Sequence, residues 1–174
     1  DVTYPFPAIF PELQRMTRGF RLGALEVYTA STGSGKTTFI KQLQHHLFKT
    51  TDFNQAIIHL EEPLEDTAEA MVGLELGTRV HLDDELQRDI VIDVARTFFE
   101  AKDSEGYPRI QLYDSFGSMD DKDLYNKIRF MVKGLNCKII FLDHLSILVS
   151  DLDGNADERR KIDSIMHNLK SLTV

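Results

Sequence analysis

Cysteine is nearly missing from these 174 residues, with Cys137 standing alone. One thiol excludes an intrachain disulfide and a Cys-rich zinc site, and its place just ahead of an apolar stretch suits a buried side chain. Long hydrophobic runs are missing too, so no segment supplies the roughly 20 apolar residues of a membrane span. The opening Asp1-Val2-Thr3-Tyr4-Pro5 has neither the basic region nor the apolar core of a signal peptide. These absences point to a soluble, intracellular chain with no membrane partner. Positive charge is scarce: the formal net charge is −8, which argues against gripping nucleic acid by general electrostatics and leaves room only for local contacts. No fixed-period repeat or low-complexity segment is present, which sets aside solenoids and linkers.

What is present is an ordinary globular mixture, 42% hydrophobic and 28% charged, enough for one α/β domain with its own core. The stretch from Leu25 to Phe39 organises the rest. Leu25, Val27 and Tyr28 read as an apolar strand, Ser31-Thr32-Gly33-Ser34-Gly35 as a glycine loop, and Lys36 onward as a helix with Phe39, Ile40, Leu43 and Leu47 at helical spacing. Two glycines let the backbone N–H groups curl around an anion, and the helix turns its positive end to the same place. Lys36 adds an ammonium for the β- and γ-phosphates, and the Thr37 hydroxyl, followed by Thr38, suits Mg²⁺. The full pattern is G-x-x-x-x-G-K-[ST], from which Ala30 departs at the first glycine. The plain alternative is an ordinary Gly/Ser turn.

Ahead of the loop, residues 1–18 form an arm carrying Pro5, Pro7 and Pro11 among Tyr4, Phe6, Ile9, Phe10 and Leu13. It is too apolar for a free tail and too broken for a long helix, so it packs either on its own domain or on a neighbouring subunit. Residues 19–174 form the domain proper. After the first helix, to about Lys49, Ala56 to Leu60 reads as a buried parallel strand that runs straight into Glu61-Glu62-Pro63. Ligands of an open parallel sheet sit beyond the carboxyl ends of its strands, so Glu61 is placed to orient an attacking water, whereas Glu62 suits the start of the next helix. Adjacent His45 and His46 face different directions on their helix and cannot share one metal.

Further helices are expected over Leu64 to Leu76, Asp83 to Ala101 and Ser118 or Met119 to Lys133, with a strand from Ile110 to Asp114. Surface salt bridges are expected for Arg79, Arg88 and Arg96. A second carboxylate ends the strand Lys138 to Asp143, the spacing of a Walker-B aspartate that holds Mg²⁺, commonly through water. His144 follows and is placed either to sense the site or to make a structural hydrogen bond. An acidic loop, Ser150 to Asn155, leads to a last helix from Glu158, capped by Asp157.

With these pieces placed, the chain resembles the helicase domain of phage primase-helicases, part of the DnaB-like group of RecA-fold motors that includes the mitochondrial helicase Twinkle. The resemblance is carried by Gly33-Ser34-Gly35-Lys36-Thr37-Thr38-Phe39, Leu60-Glu61-Glu62 with Glu65 to Glu69, Leu112-Tyr113-Asp114-Ser115-Phe116, Leu142-Asp143-His144-Leu145-Ser146-Ile147, and Asp157 to Asp163. It implies a RecA-like P-loop NTPase core, a mostly parallel sheet flanked by helices, cut short at its C-terminal end. It further implies a hexameric ring that hydrolyses ATP or dTTP with Mg²⁺ at subunit interfaces, with an arginine finger from the neighbouring subunit. Such a ring moves along single-stranded DNA and unwinds the duplex, with a primase domain and a DNA polymerase as further partners. By position, Lys36 and Thr37 would bind phosphate and Mg²⁺, Glu61 would be the catalytic base, Asp143 the Walker-B residue, and the loop holding Ser146, Ser150 and Asn155 a DNA-contacting channel loop. The implied location is the cytoplasm of a phage-infected bacterium, with the mitochondrial matrix as the alternative. Two other readings of the same core are a recombinase-like ATPase that coats DNA as a filament and a regulatory module switched by nucleotide.

Overall fold

The computed structural model describes residues 2–31, 33–60, 62–82, 87–114, 120–143 and 155–173. Within them the chain runs α1 (Pro11–Thr17), α2 (Lys36–Thr50), β1 (Asn54–His59), α3 (Leu64–Leu76), a 3₁₀ turn (Val80–Leu82), α4 (Arg88–Phe99), β2 (Ile110–Asp114), α5 (Asp121–Gly134), β3 (Cys137–Asp143) and α6 (Asn155–Ser171). The three strands form one parallel sheet in the order β2-β1-β3. All six residues of β1 are buried, as a central strand covered on both faces requires.

Alternation along β1 sorts the core into two halves. Ala56, Ile58 and Leu60 pack with Leu124, Tyr125, Ile128 and Met131 of α5 and with Ile165 and Leu169 of α6. Ile57 faces the other way, toward Phe48 of α2, Met71 of α3 and Phe98 of α4. On α2 the buried residues are Leu43, Gln44, Leu47 and Phe48, a single stripe at helical spacing that lays the helix on the sheet. Among the described residues no helix is long and apolar enough to cross a membrane.

The arm folds back on the domain. Tyr4 and Phe20 exchange backbone hydrogen bonds of 2.9 and 2.7 Å, Phe6 is buried against the Phe20 ring, and His46 Nε2 lies 2.8 Å from the Pro5 carbonyl. The crossing at Gly19 demands glycine, since φ is +98° and a Cβ there would stand 2.5 Å from the Tyr4 oxygen. The apolar side chains of Val2, Ile9 and Met16 remain exposed.

Three element boundaries differ from the sequence reading. Helix α4 stops at Phe99 because Ala101 accepts from Arg109 N at 2.9 Å and Lys102 bridges to Pro108, which draws both into a small hairpin; residues 83–86, expected in this helix, lie outside the described residues. Helix α5 begins at Asp121, with Asp120 accepting from Asp123 N at 2.8 Å as its cap. Helix α6 opens at Asn155, so Asp157 stands in its first turn instead of before it, a position that favours an acidic residue.

The larger difference concerns Leu25 to Tyr28, which is not a strand of this sheet. Its two ends are tied elsewhere: Lys170 Nζ donates to the Gly23 carbonyl at 2.8 Å, and the Tyr28 ring packs on Phe39 of α2 with centroids 5.1 Å apart. The stretch is thereby held across a cavity of about 1150 Å³ from the outer edge of β3. Among the described residues no ladder bond joins the two.

The packing of β1 sets a first expectation. Ile57 is fully buried, so Ile57→Ala should cost about 2–5 kcal/mol, read from the midpoint of a urea unfolding curve.

Candidate nucleotide site

The β1/β3 register pairs His59 with Asp143, and Leu60 N donates to the Asp143 carbonyl at 2.9 Å. The carboxyl ends of the two strands therefore stop side by side. Helix α2 begins against the same edge. Its N-cap is Gly35, in the left-handed region at φ 89°, ψ 18°, and among the described residues no side chain caps its first-turn amides, an arrangement open to an anion. Gly33 also has positive φ, at 76°. Between the glycines, Ser34 N and Ser34 Oγ both donate to the Ser31 carbonyl, at 3.2 and 2.6 Å. Ser31, Gly33, Ser34, Gly35 and Thr38 are exposed, while Lys36 and Thr37 are half-buried.

The half-buried pair meets the end of β3. Lys36 Nζ lies 3.5 Å from Asp143 Oδ1, and Thr37 Oγ1 donates to Asp143 Oδ2 at 3.3 Å. Both separations exceed the roughly 2.7–2.9 Å of a tight charge-assisted bond, so the carboxylate is approached without being saturated. A hydroxyl and a carboxylate oxygen are the hard donors that Mg²⁺ prefers, and an ammonium already marks where positive charge is wanted.

A second group of side chains adjoins the first, and of its members only Glu62 stands out in the sequence. Glu62 forms an ion pair with Lys41 of α2, and its other oxygen, Oε2, stands 3.9 Å from His59 Nδ1. The expectation that Glu62 caps the following helix is corrected: the N-cap of α3 is Pro63, with no side-chain cap bond. An ammonium in contact is a stronger partner for a carboxylate than first-turn amides are. His59 Nε2 lies 2.7 Å from Thr67 Oγ1 of α3. Burial holds the His59 imidazole below its usual range, against the pull of the Glu62 and Asp143 carboxylates. The one available signal was a lone histidine closing an otherwise apolar strand.

Of the remaining candidates, Thr32, Glu61, His144, Ser146 and Ser150 lie outside the described residues, and Asn155 is placed only as the first residue of α6. Asp114 ends β2, with β1 between it and β3. His45 Nε2 lies 2.8 Å from Glu75 Oε2, on α3, while His46 turns to the arm. Arg96 pairs with Asp93 at 3.3 Å, an exposed contact. Burial pushes the Cys137 thiol up to about 11, which leaves it an inert core group.

The cavity beside β3 is lined by Ser31, Gly33, Gly35, Lys36, Thr37 and Asp143 and by the apolar Leu25, Val27, Ile40, Leu43, Ile139 and Phe141. An anion would suit only the polar part of that lining, because against the aliphatic side chains it would lose its hydration without replacement.

A glycine loop, a helix N-terminus and a strand-end carboxylate gathered at one edge of a parallel sheet define a P-loop nucleotide-binding core. The chain belongs to the family described as the DnaB-like helicase C-terminal domain, whose model matches residues 6–174, and its sheet with flanking helices is accordingly RecA-like. It is also similar to a DNA helicase/primase of Enterobacteria phage T3, with 36% identity over 159 residues, covering 91% of this chain and 28% of that relative. The chain therefore spans under a third of that relative's length.

Conformation alone holds the loop glycines, since a Cβ at Gly35 would meet nothing within 4 Å. Gly35→Ala should therefore cost only the left-handed penalty, about 1–2 kcal/mol. Gly19→Ala should cost more, because its Cβ also meets backbone. Parallel urea titrations of the two variants test that order.

Proposed function

We propose that this chain is the motor core of a replicative DNA helicase, coupling hydrolysis of a nucleoside triphosphate, ATP or dTTP, to movement along single-stranded DNA and unwinding of the duplex. The observation that carries the reading is the convergence of Lys36 and Thr37 on Asp143 at the carboxyl edge of the sheet, in a chain that belongs to a helicase family. The first-turn amides of α2 and the exposed glycine loop bind the β-phosphate, and Lys36 swings from Asp143 to the γ-phosphate. Thr37 and Asp143 would hold Mg²⁺, which supplies charge neutralisation between the β- and γ-phosphates when bound. Glu61, directly after β1, orients the attacking water, and His144, directly after β3, reports the state of the phosphate to the rest of the chain.

Hydrolysis in this reading takes place between subunits of a hexameric ring, with an arginine finger supplied by the neighbour. With a net charge of −8, contact with DNA is confined to local elements, and the segment with Ser146, Ser150 and Asn155 is the one assigned to it. The name of the phage relative, DNA helicase/primase, supports a linked primase, with the replicative DNA polymerase as a further partner. It also favours the cytoplasm of an infected bacterium over the mitochondrial matrix. A DNA-coating filament and a nucleotide-switched regulator are not favoured, because the family matched is one of helicases.

Turnover of ATP and dTTP by the full-length protein, with and without single-stranded DNA, tests the assignment. Lys36→Ala should lower DNA-stimulated turnover by about a hundredfold or more while leaving the circular dichroism spectrum unchanged. Glu61→Gln should retain nucleotide binding and lose hydrolysis to a similar degree. Normal turnover in either variant would sink the role given to that residue, and wild-type protein without DNA-stimulated turnover would sink the motor.

A further inference from the structure

His59 takes no part in the nucleotide chemistry above. It closes β1 with its side chain 1% exposed, and among the described residues its Nδ1 has no hydrogen-bond partner. An orphaned buried ring nitrogen costs about 1–3 kcal/mol, so what surrounds it matters. Nδ1 stands 3.9 Å from Glu62 Oε2, beyond hydrogen-bond range. One ligand atom from each of His59, Glu62 and Asp143 lies within 4.8 Å of the other two. Three such atoms, each drawn in by about half an ångström, surround an ion at the roughly 2.1 Å of a metal–nitrogen or metal–carboxylate bond. We propose that His59, Glu62 and Asp143 form a binding site for a divalent first-row transition ion, filled in the nucleotide-free protein and sharing only Asp143 with the Mg²⁺ position at Thr37.

The outer contacts suit this role. In the tautomer whose Nε2 hydrogen is donated to Thr67 Oγ1, 2.7 Å away, Nδ1 keeps a bare lone pair on the side of Glu62, the arrangement that orients metal-bound histidines. The β1/β3 register holds two of the three ligands side by side before any ion arrives. Both carboxylates already sit beside cations, Glu62 with Lys41 and Asp143 with Lys36. Lys41 and Lys36 side chains are 13% and 27% exposed, so neither ammonium is fully enclosed, and a dication that displaces them moves each toward solvent. An imidazole ligand selects against Mg²⁺ and Ca²⁺, which prefer oxygen, and favours Mn²⁺, Co²⁺ or Zn²⁺.

Mn²⁺ is the probe, because its free aquo ion is read directly by electron paramagnetic resonance. Titration of the nucleotide-free full chain, in a large excess of Mg²⁺, should show one Mn²⁺ bound per chain. Pulsed spectra of the bound ion should show ¹⁴N coupling from the imidazole. Glu62→Gln should weaken binding about tenfold or more with the nitrogen coupling retained, Lys41→Met should tighten it, and His59→Leu should abolish the coupling. If the buried His59→Leu does not fold, the coupling in wild type and the loss in Glu62→Gln decide. Mn²⁺ bound without nitrogen coupling, freely displaced by Mg²⁺, or unaffected by Glu62→Gln would overturn the site. None of these readings uses nucleotide turnover, so their failure would leave the motor assignment intact.

Discussion

The parallel pairing of β1 with β3 is the constraint from which the site follows. Because a one-residue slip would turn every side chain of β1 to the opposite face, the register that buries Ala56, Ile58 and Leu60 against α5 and α6 also decides that His59 faces α3 and stops beside Asp143. The last ladder contact, Leu60 N to the Asp143 carbonyl at 2.9 Å, fixes the backbone that carries the Asp143 carboxylate. The hydrophobic core thus does more than supply stability: its alternation aims the polar ends of two strands at one point. Helix α2 completes the point from the other side, since Leu43 and Leu47 are buried on the sheet while Lys36 and Thr37 project past its edge.

Charge explains why this edge holds together. Asp143 and Glu62 are two carboxylates at one end of a sheet in a chain of net charge −8. At about 4 Å and an effective dielectric near 20, two like charges repel by about 4 kcal/mol, so they persist together only with cations nearby. Lys36 and Lys41, five residues apart on α2, meet one carboxylate each. These partly exposed pairs add little to global stability, typically under about 1 kcal/mol each. Their effect is local: they hold the acids in place.

Much of this was legible in the sequence because short-range rules fixed it. Helices α2 and α3 and strands β1, β2 and β3 fall where periodicity and strand-end carboxylates put them, and Gly33 and Gly35 have the positive φ that a phosphate loop asks for. What escaped depends on pairs far apart in the chain. The contact of His59 with Thr67 needs the helix α3 to pack over β1, and the turn of Glu62 from capping to Lys41 needs α2 and α3 to lie side by side. Neither shows in a local pattern. The first turn of α6 and the end of α4 were misjudged for the usual reason that helix ends are decided by whichever neighbour captures the last free backbone groups.

The stretch Leu25 to Tyr28 is where local pattern and structure disagree most, and the disagreement bears on the loop it leads into. Apolar residues ahead of a glycine loop satisfy every short-range criterion for a strand, but a strand exists only when its backbone groups find a ladder. Here Lys170 and Phe39 anchor the two ends of the stretch across the cavity from β3. The phosphate loop is consequently fixed from its helix side, by the buried face of α2. Its strand side is held through the ring contact of Tyr28 with Phe39, which Phe10 of the arm buttresses at 4.9 Å. Lys36 and Thr37 thereby take their positions from the same helix that the core clamps to β1, and their approach to Asp143 needs no support from the stretch that precedes the glycines.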